Sequence, residues 1–128
     1  MLTGIRHKAV LALGCVVVAV VMACGSAAEP SFDKALAALE LGQYERAIED
    51  LNEAIRLDPQ YANAYGHRGS AYGKLGQYEW AIEDFDEAIR LDPQYAEAYN
   101  NRGLAYRNLG QQELADRDFA KAKELEDE

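Results

Sequence analysis

Two patterns of apolar and polar positions divide the chain. Residues 9–23, AVLALGCVVVAVVMA, are almost wholly apolar. From residue 28 onward apolar residues recur with the period of a helix. Tyr65, Gly69, Tyr72 and Gly76 fall at i, i+4, i+7 and i+11, one face of a helix. Leu75-Gly76-Gln77 breaks that pattern, with glycine as the stop signal. A second stripe follows in Trp80-Ala81, Phe85, Ala88-Ile89 and Leu91. Asp92-Pro93 closes it, because proline disfavours helix in the residue before it. Residues 62–95 therefore predict two helices joined by a short turn. Gly69, Ala81 and Ala88 are small where the two should cross, and Tyr65, Tyr72 and Phe85 fill the flanks.

This unit repeats. QYERAIEDLNEAIRLDPQY at 43–61 returns at 77–95 after 34 residues, changed only at Arg46/Trp80, Leu51/Phe85 and Asn52/Asp86. Gly42, Gly76 and Gly110 keep the same offset, as do Ala47, Ala81 and Ala115. A fixed period of this length is the signature of a repeat array. Residues 28–61, 62–95 and 96–128 are the expected copies. The first is degenerate: Ser31, Lys34-Ala35 and Ala38 replace the aromatic framework. One unit cannot bury its own apolar face, so about three are needed. Ile48/Ile55 and Ile82/Ile89 mark the face a following copy covers. Asp116 and Lys123 stand there in the third copy, so the last helix is expected to cap the array. The expected fold class is all-α, a helix-turn-helix solenoid of three repeats.

The pattern resembles the tetratricopeptide repeat. Tyr65, Arg68-Gly69, Tyr72, Ala81, Phe85 and Pro93 match that family's framework. Tyr99, Arg102-Gly103, Tyr106, Ala115 and Phe119 repeat it, with Asp127 where proline would come. The resemblance spans about residues 28–128. It implies that the first helix of each copy lines a concave groove that takes peptides. That face carries Asn63, His67, Ser70 and Lys74 in the second copy. In the third it carries Glu97, Asn101, Leu104 and Asn108, flanked by Asn100 and Arg107. In the first it carries Asp33, Leu36 and Glu40. Asparagine can both donate to and accept from a peptide backbone. These positions differ between copies while the second helices barely vary, as a directional groove requires. The alternative is a solvated polar face with no ligand. Some chaperone-associated members of the family grip a C-terminal carboxylate with Lys and Asn. The matching positions here are Phe32, Leu36, His67, Glu97 and Asn101. Glu97 repels a carboxylate and only Asn101 fits, so that role is not expected.

The apolar run has the layout of a secretory signal over residues 1–23, with Arg6, His7 and Lys8 ahead of it. It is shorter than the roughly 20 residues that span a bilayer core. Val21-Met22-Ala23-Cys24 resembles the lipobox of bacterial lipoproteins, which implies that Cys24 is lipidated and becomes the new N-terminus. Residues 24–30 are then a short tether. The expectation is an exported lipoprotein, anchored to a membrane through lipid alone and facing the periplasm or cell exterior. An uncleaved short anchor stays open, as does ordinary cleavage after Ala28 to give a soluble exported protein.

Charge and chemistry narrow the function. The 13 Lys and Arg face 22 Asp and Glu, a net charge of -9. Arg6 and Lys8 belong to the leader, so the array is more acidic still. Nucleic acid is excluded as a primary partner, because it demands a basic stripe. His67 stands alone beyond the leader, without a nucleophile or an orienting partner. Phosphate loops and two-histidine metal motifs are absent from the sequence. No enzyme, cofactor or metal is therefore expected. Glu49-Asp50 and Glu83-Asp84 recur at the repeat period and are read as solvated faces. Pairs with Arg68 and Arg102 at such a surface are worth about 0–1 kcal/mol. Trp80 is replaced by Arg46 and Leu114 in the other copies and is read as a partly exposed aromatic packed on its neighbour, with a partner contact as the alternative. The expected function is an adaptor or scaffold holding a peptide segment of a cell-envelope protein. The rival is a homodimer formed through Phe32, Leu36 and Leu39, which nothing before them would cover.

Overall fold

A computed structural model describes residues 27–128. The expected signal and Cys24 lie outside the described residues. Among the described residues six helices follow one another: α1 Glu29–Glu40, α2 Tyr44–Leu57, α3 Ala62–Lys74, α4 Tyr78–Leu91, α5 Ala96–Asn108 and α6 Gln112–Glu126. Each packs chiefly on the helices next to it in sequence, and α3 also meets α5 along an edge. That is the nearest-neighbour packing of a solenoid. α1 begins at Glu29, so the last two residues of the expected tether are helical. Pro30 is no obstacle in the first turn, where its missing N–H has no helical partner to lose.

The turns inside each repeat close the same way. Gly76 adopts φ +76°, a conformation that other residues enter only at a cost. It lets Gly76 N–H reach the Gly73 carbonyl at 3.1 Å and Gln77 N–H reach the Tyr72 carbonyl at 2.9 Å. Both bonds satisfy carbonyls that the end of α3 would leave open. Between repeats, Asp92 turns the chain with an extended backbone, and its carboxylate accepts from Gln94 N–H at 3.1 Å. Asp58 does the same for Gln60 at 3.0 Å.

The core is mostly alanine. Ala47, Ala54, Ala64, Ala71, Ala81 and Ala88 are fully buried, and Phe85 and Leu51 are the largest fully buried side chains among the described residues. Small residues bring the helix axes close enough for aromatic rings to seal the crossings. A Cβ on Gly69 would lie 2.9 Å from the Phe85 ring and 3.1 Å from the Ala81 carbonyl oxygen. Gly103 meets Phe119 in the same way, at 2.8 Å. Ile48, Ile55, Ile82 and Ile89 are half-buried, whereas Asp116 and Lys123 at the same stations of α6 are exposed.

Two expectations are overturned. Phe32 is buried, not exposed: its ring packs on Tyr61 at 4.7 Å and meets His67 edge-on at 5.2 Å. Leu36 packs against the same cluster. α1 turns this face inward onto α2 and the start of α3, so Phe32 and Leu36 do not form an open apolar surface. Among the described residues the exposed large apolar side chains are Leu41, Leu57, Trp80 and Leu114. Trp80 rests edge-on against Tyr72 at 5.3 Å, the arrangement read from the sequence.

The second correction concerns the acids. Asp84 is not on a solvated face. Its side chain is 8% exposed and takes two hydrogen bonds from Arg68, at 2.8 and 2.6 Å. A third Arg68 bond reaches Asn52 Oδ1 on α2 at 2.8 Å. Arg102 repeats this with Asp118 on α6, both bonds 2.7 Å, and with Asp86 on α4 at 2.7 Å. Each arginine thus ties three helices together. The carboxylates hold both guanidiniums above their ordinary range. Burial pushes the Asp84 carboxyl up, against the opposing pull of Arg68. The first repeat lacks this knot. Lys34 occupies the arginine station and is exposed, and Asp50 Oδ2 is buried without a hydrogen-bond partner. Glu49 and Glu83 are exposed as expected.

Candidate peptide-binding groove

The groove is built by the first helices of successive repeats. The spacing i, i+4, i+7, i+11 places Glu97, Asn101, Leu104 and Asn108 in one stripe of α5. The same spacing places Asn63, His67, Ser70 and Lys74 on α3. Between the two helices lies a cleft of about 440 Å³. Its walls are Ser70, Gly73 and Lys74 of α3 and Glu97, Asn101, Leu104, Ala105 and Asn108 of α5. Tyr78 and Phe85 of α4 complete its lining.

Tyr95 sets the spacing of the two walls. Its ring lies against Gly66, where a Cβ would come within 2.7 Å of the hydroxyl oxygen. Burial pushes the Tyr95 hydroxyl up to about 12, reinforced by the nearby carboxylates of Glu97 and Asp92. Asn101 Nδ2 donates to Ser70 Oγ at 3.4 Å across the cleft, and Ser70 Oγ donates to the Gly66 carbonyl at 3.0 Å. Asn108 Nδ2 donates to the Leu104 carbonyl at 2.8 Å. These bonds use the amide N–H groups and fix both side chains. They leave the Asn101 and Asn108 side-chain oxygens able to accept from a peptide N–H.

Six of the ten residues expected in the groove therefore converge: Ser70, Lys74, Glu97, Asn101, Leu104 and Asn108. The other four stand elsewhere. His67 Nδ1 lies 2.8 Å from the Asn63 carbonyl, with its ring against Phe32, so His67 borders the first repeat. Asn63 is exposed one turn before it. Arg107 stacks over the Phe119 ring at 5.6 Å, toward α6, and Asn100 is exposed outside the cleft. Sequence reasoning missed Gly73, Tyr78, Phe85 and Ala105. Phe85 was assigned wholly to packing, although its edge also reaches the cleft. The recurrence of Tyr44 and Tyr78 at the start of successive second helices was the available signal for Tyr78.

Among the described residues, no group of three or more His, Cys, Asp or Glu is placed to hold a metal ion. None of their helices is long and apolar enough to cross a membrane.

Comparison with known proteins agrees with this geometry. A TPR repeat family profile matches residues 35–76 and 69–110, and a tetratricopeptide repeat profile matches 96–128. The first TPR of Spaghetti (RPAP3), solved with the HSP90 peptide SRMEEVD, is similar with a TM-score of 0.78 at 30% identity. That match covers 79% of this chain and 80% of the other. The Arabidopsis OM64 TPR domain is similar with a TM-score of 0.78 at 32% identity, covering 79% and 84% of the two chains. The second TPR domain of human RPAP3, solved with the HSP70 peptide SGPTIEEVD, has a TM-score of 0.77 at 35% identity, covering 80% and 86%. No curated protein matches the chain.

Proposed function

Because the chain belongs to the tetratricopeptide-repeat family, we propose that it is a non-enzymatic adaptor which holds a peptide segment of a partner protein between α3 and α5. The observation that carries this reading is the cleft itself: polar residues from two repeats surround an apolar floor, with asparagine oxygens free to meet a backbone. A few placed polar groups around an apolar lining is the usual make-up of a recognition site. The peptides seen with the two RPAP3 domains support it as an analogy. Their acidic C-terminal ends do not transfer here, since Glu97 opposes a carboxylate.

The leader places this activity outside the cytoplasm in our reading. Cys24 carries lipid, the module faces the periplasm or cell exterior, and its partner is an envelope protein. A photo-reactive residue at position 104 in the native cell tests the groove. It should crosslink to a partner segment, while the same residue at the exposed position 113 should not. Equal labelling from both positions would sink the reading. Labelled palmitate should enter the wild-type chain and not Cys24→Ser. Entry into neither would leave an exported adaptor without lipid.

A further inference from the structure

We propose that the groove selects a cationic segment bearing one large apolar side chain. The apolar group enters the cleft, and the basic residues follow the acidic rim. This rests on the peptide-binding reading above and adds the chemistry of the ligand.

Four stations recur on each first helix at the repeat period, and on α3 Ser70 and Lys74 are the two that line the cleft. On α5 the four are Glu97, Asn101, Leu104 and Asn108, all in the cleft wall. The 34-residue period carries the same stations to Glu29, Asp33, Leu36 and Glu40 on α1. Glu29, Asp33, Glu40 and Glu97 are exposed, and none joins an ion pair among the described residues. Lys74 is the one cation at a groove station. On the outer faces Glu53, Glu87 and Glu124 each pair with a basic residue on their own helix, while Glu49, Glu83 and Glu113 are exposed and join no ion pair among the described residues.

Helix stability does not account for the rim. An acid in a first turn complements the helix dipole, which covers Glu29 and Glu97. Asp33 lies beyond the first turn, and Glu40 sits at the C-terminal end of α1, where the dipole disfavours it. Unneutralised charges of one sign along a concave surface add their fields and draw in a ligand of the other sign. The apolar part of the site is equally definite. Phe85, Leu104 and Ala105 line an opening with room for a leucine, methionine or phenylalanine side chain and the backbone that carries it.

The test screens the full chain in detergent against a phage-displayed library of random peptides. Enriched peptides should join Lys or Arg to a large apolar residue. Glu97→Lys should weaken them about fivefold at low salt, the scale of one exposed charge pair. That difference should shrink as salt rises. Leu104→Ala should weaken them about tenfold, the scale of one interface anchor, with Asn101→Ala as a second groove variant. Enrichment of acidic peptides, or of neutral ones indifferent to Glu97→Lys, overturns the inference and leaves the groove reading intact. Peptides indifferent to both Leu104→Ala and Asn101→Ala, or no enrichment at all, overturn both.

Discussion

Arg102 grips Asp118 through two parallel hydrogen bonds of 2.7 Å, joining α5 to α6 across sixteen residues of sequence. Both side chains are largely buried, and a third bond extends the pair to Asp86 on α4. Removing one partner strands a buried charge. Arg102→Ala should therefore cost about 3 kcal/mol in urea unfolding. The double replacement Arg102→Met with Asp118→Leu should recover most of that loss, because an apolar pair leaves no unmet charge. A double variant as unstable as the single one would mean that the arginine acts mainly through Asp86 or its aromatic neighbours.

The first repeat offers the converse experiment. Asp50 Oδ2 is buried and unpartnered, with Lys34 at the station held by Arg68 and Arg102 in the other repeats. Lys34→Arg supplies the planar fork that lysine lacks. Tm should rise by about 4 °C, the shift expected from about 1 kcal/mol in a domain of this size. An unchanged Tm, with the loss of stability in Asp50→Asn no greater than for an exposed acid, would show that the knot does not form there.

Glycines next to each other in the fold should answer substitution oppositely. Gly69→Ala meets the Phe85 ring and the Ala81 carbonyl, and overpacking of this kind costs about 1–3 kcal/mol. That exceeds the gain in helix propensity, so the variant should unfold earlier. A Cβ on Gly73 meets nothing within 4 Å, and Gly73→Ala should stabilise by about 0.5 kcal/mol. Matched denaturation curves for the two variants decide the point. The same methyl group intrudes on the cleft, so Gly73→Ala should weaken peptide binding while it strengthens the fold.

Tyr95 gives the array an alkaline limit. Its folded-state value of about 12 lies above the ordinary value near 10 of an unfolded tyrosine. The folded chain favours the protonated ring, so this stabilisation is complete below pH 10 and disappears as pH rises toward 12. Tm measured across that interval should fall less steeply in Tyr95→Phe than in the wild type. Parallel curves would remove Tyr95 as the cause.

Repetition made most of the fold legible. The recurrence of Gly42, Gly76 and Gly110 marked three turns whose closure the structure displays. Gly69 beside Ala81 marked a helix crossing. Periodicity also concealed something. Glu83 and Asp84 recur together, yet adjacent residues on a helix point about 100° apart, and only Asp84 turns toward Arg68. A recurrent acid pair thus hid one structural member and one solvated member. Phe32 misled for a different reason. Its exposure was judged from what precedes it in sequence, whereas its cover comes from Tyr61 and His67, about thirty residues later. In the groove, the first-helix stripe was readable from spacing alone. Its floor was not, because Phe85 and Tyr78 belong to a different helix, which the spacing along the first helices does not register.

The missing arginine in the first repeat gives the molecule a sense of direction. α3 and α5 are each bolted to the helices on both sides, while α1 is held by alanine contacts and the Phe32 cluster. Thermal opening should therefore start at α1 and α2 and halt at Arg68, like a zipper whose teeth are soundest at the far end. Amide protons of α1 should exchange before those of α5. The acidic rim contributed by Glu29, Asp33 and Glu40 then rides on the most yielding part of the array, and the cleft beside Leu104 on the most rigid. A bound segment would meet a fixed anchor at one end and an adjustable grip at the other.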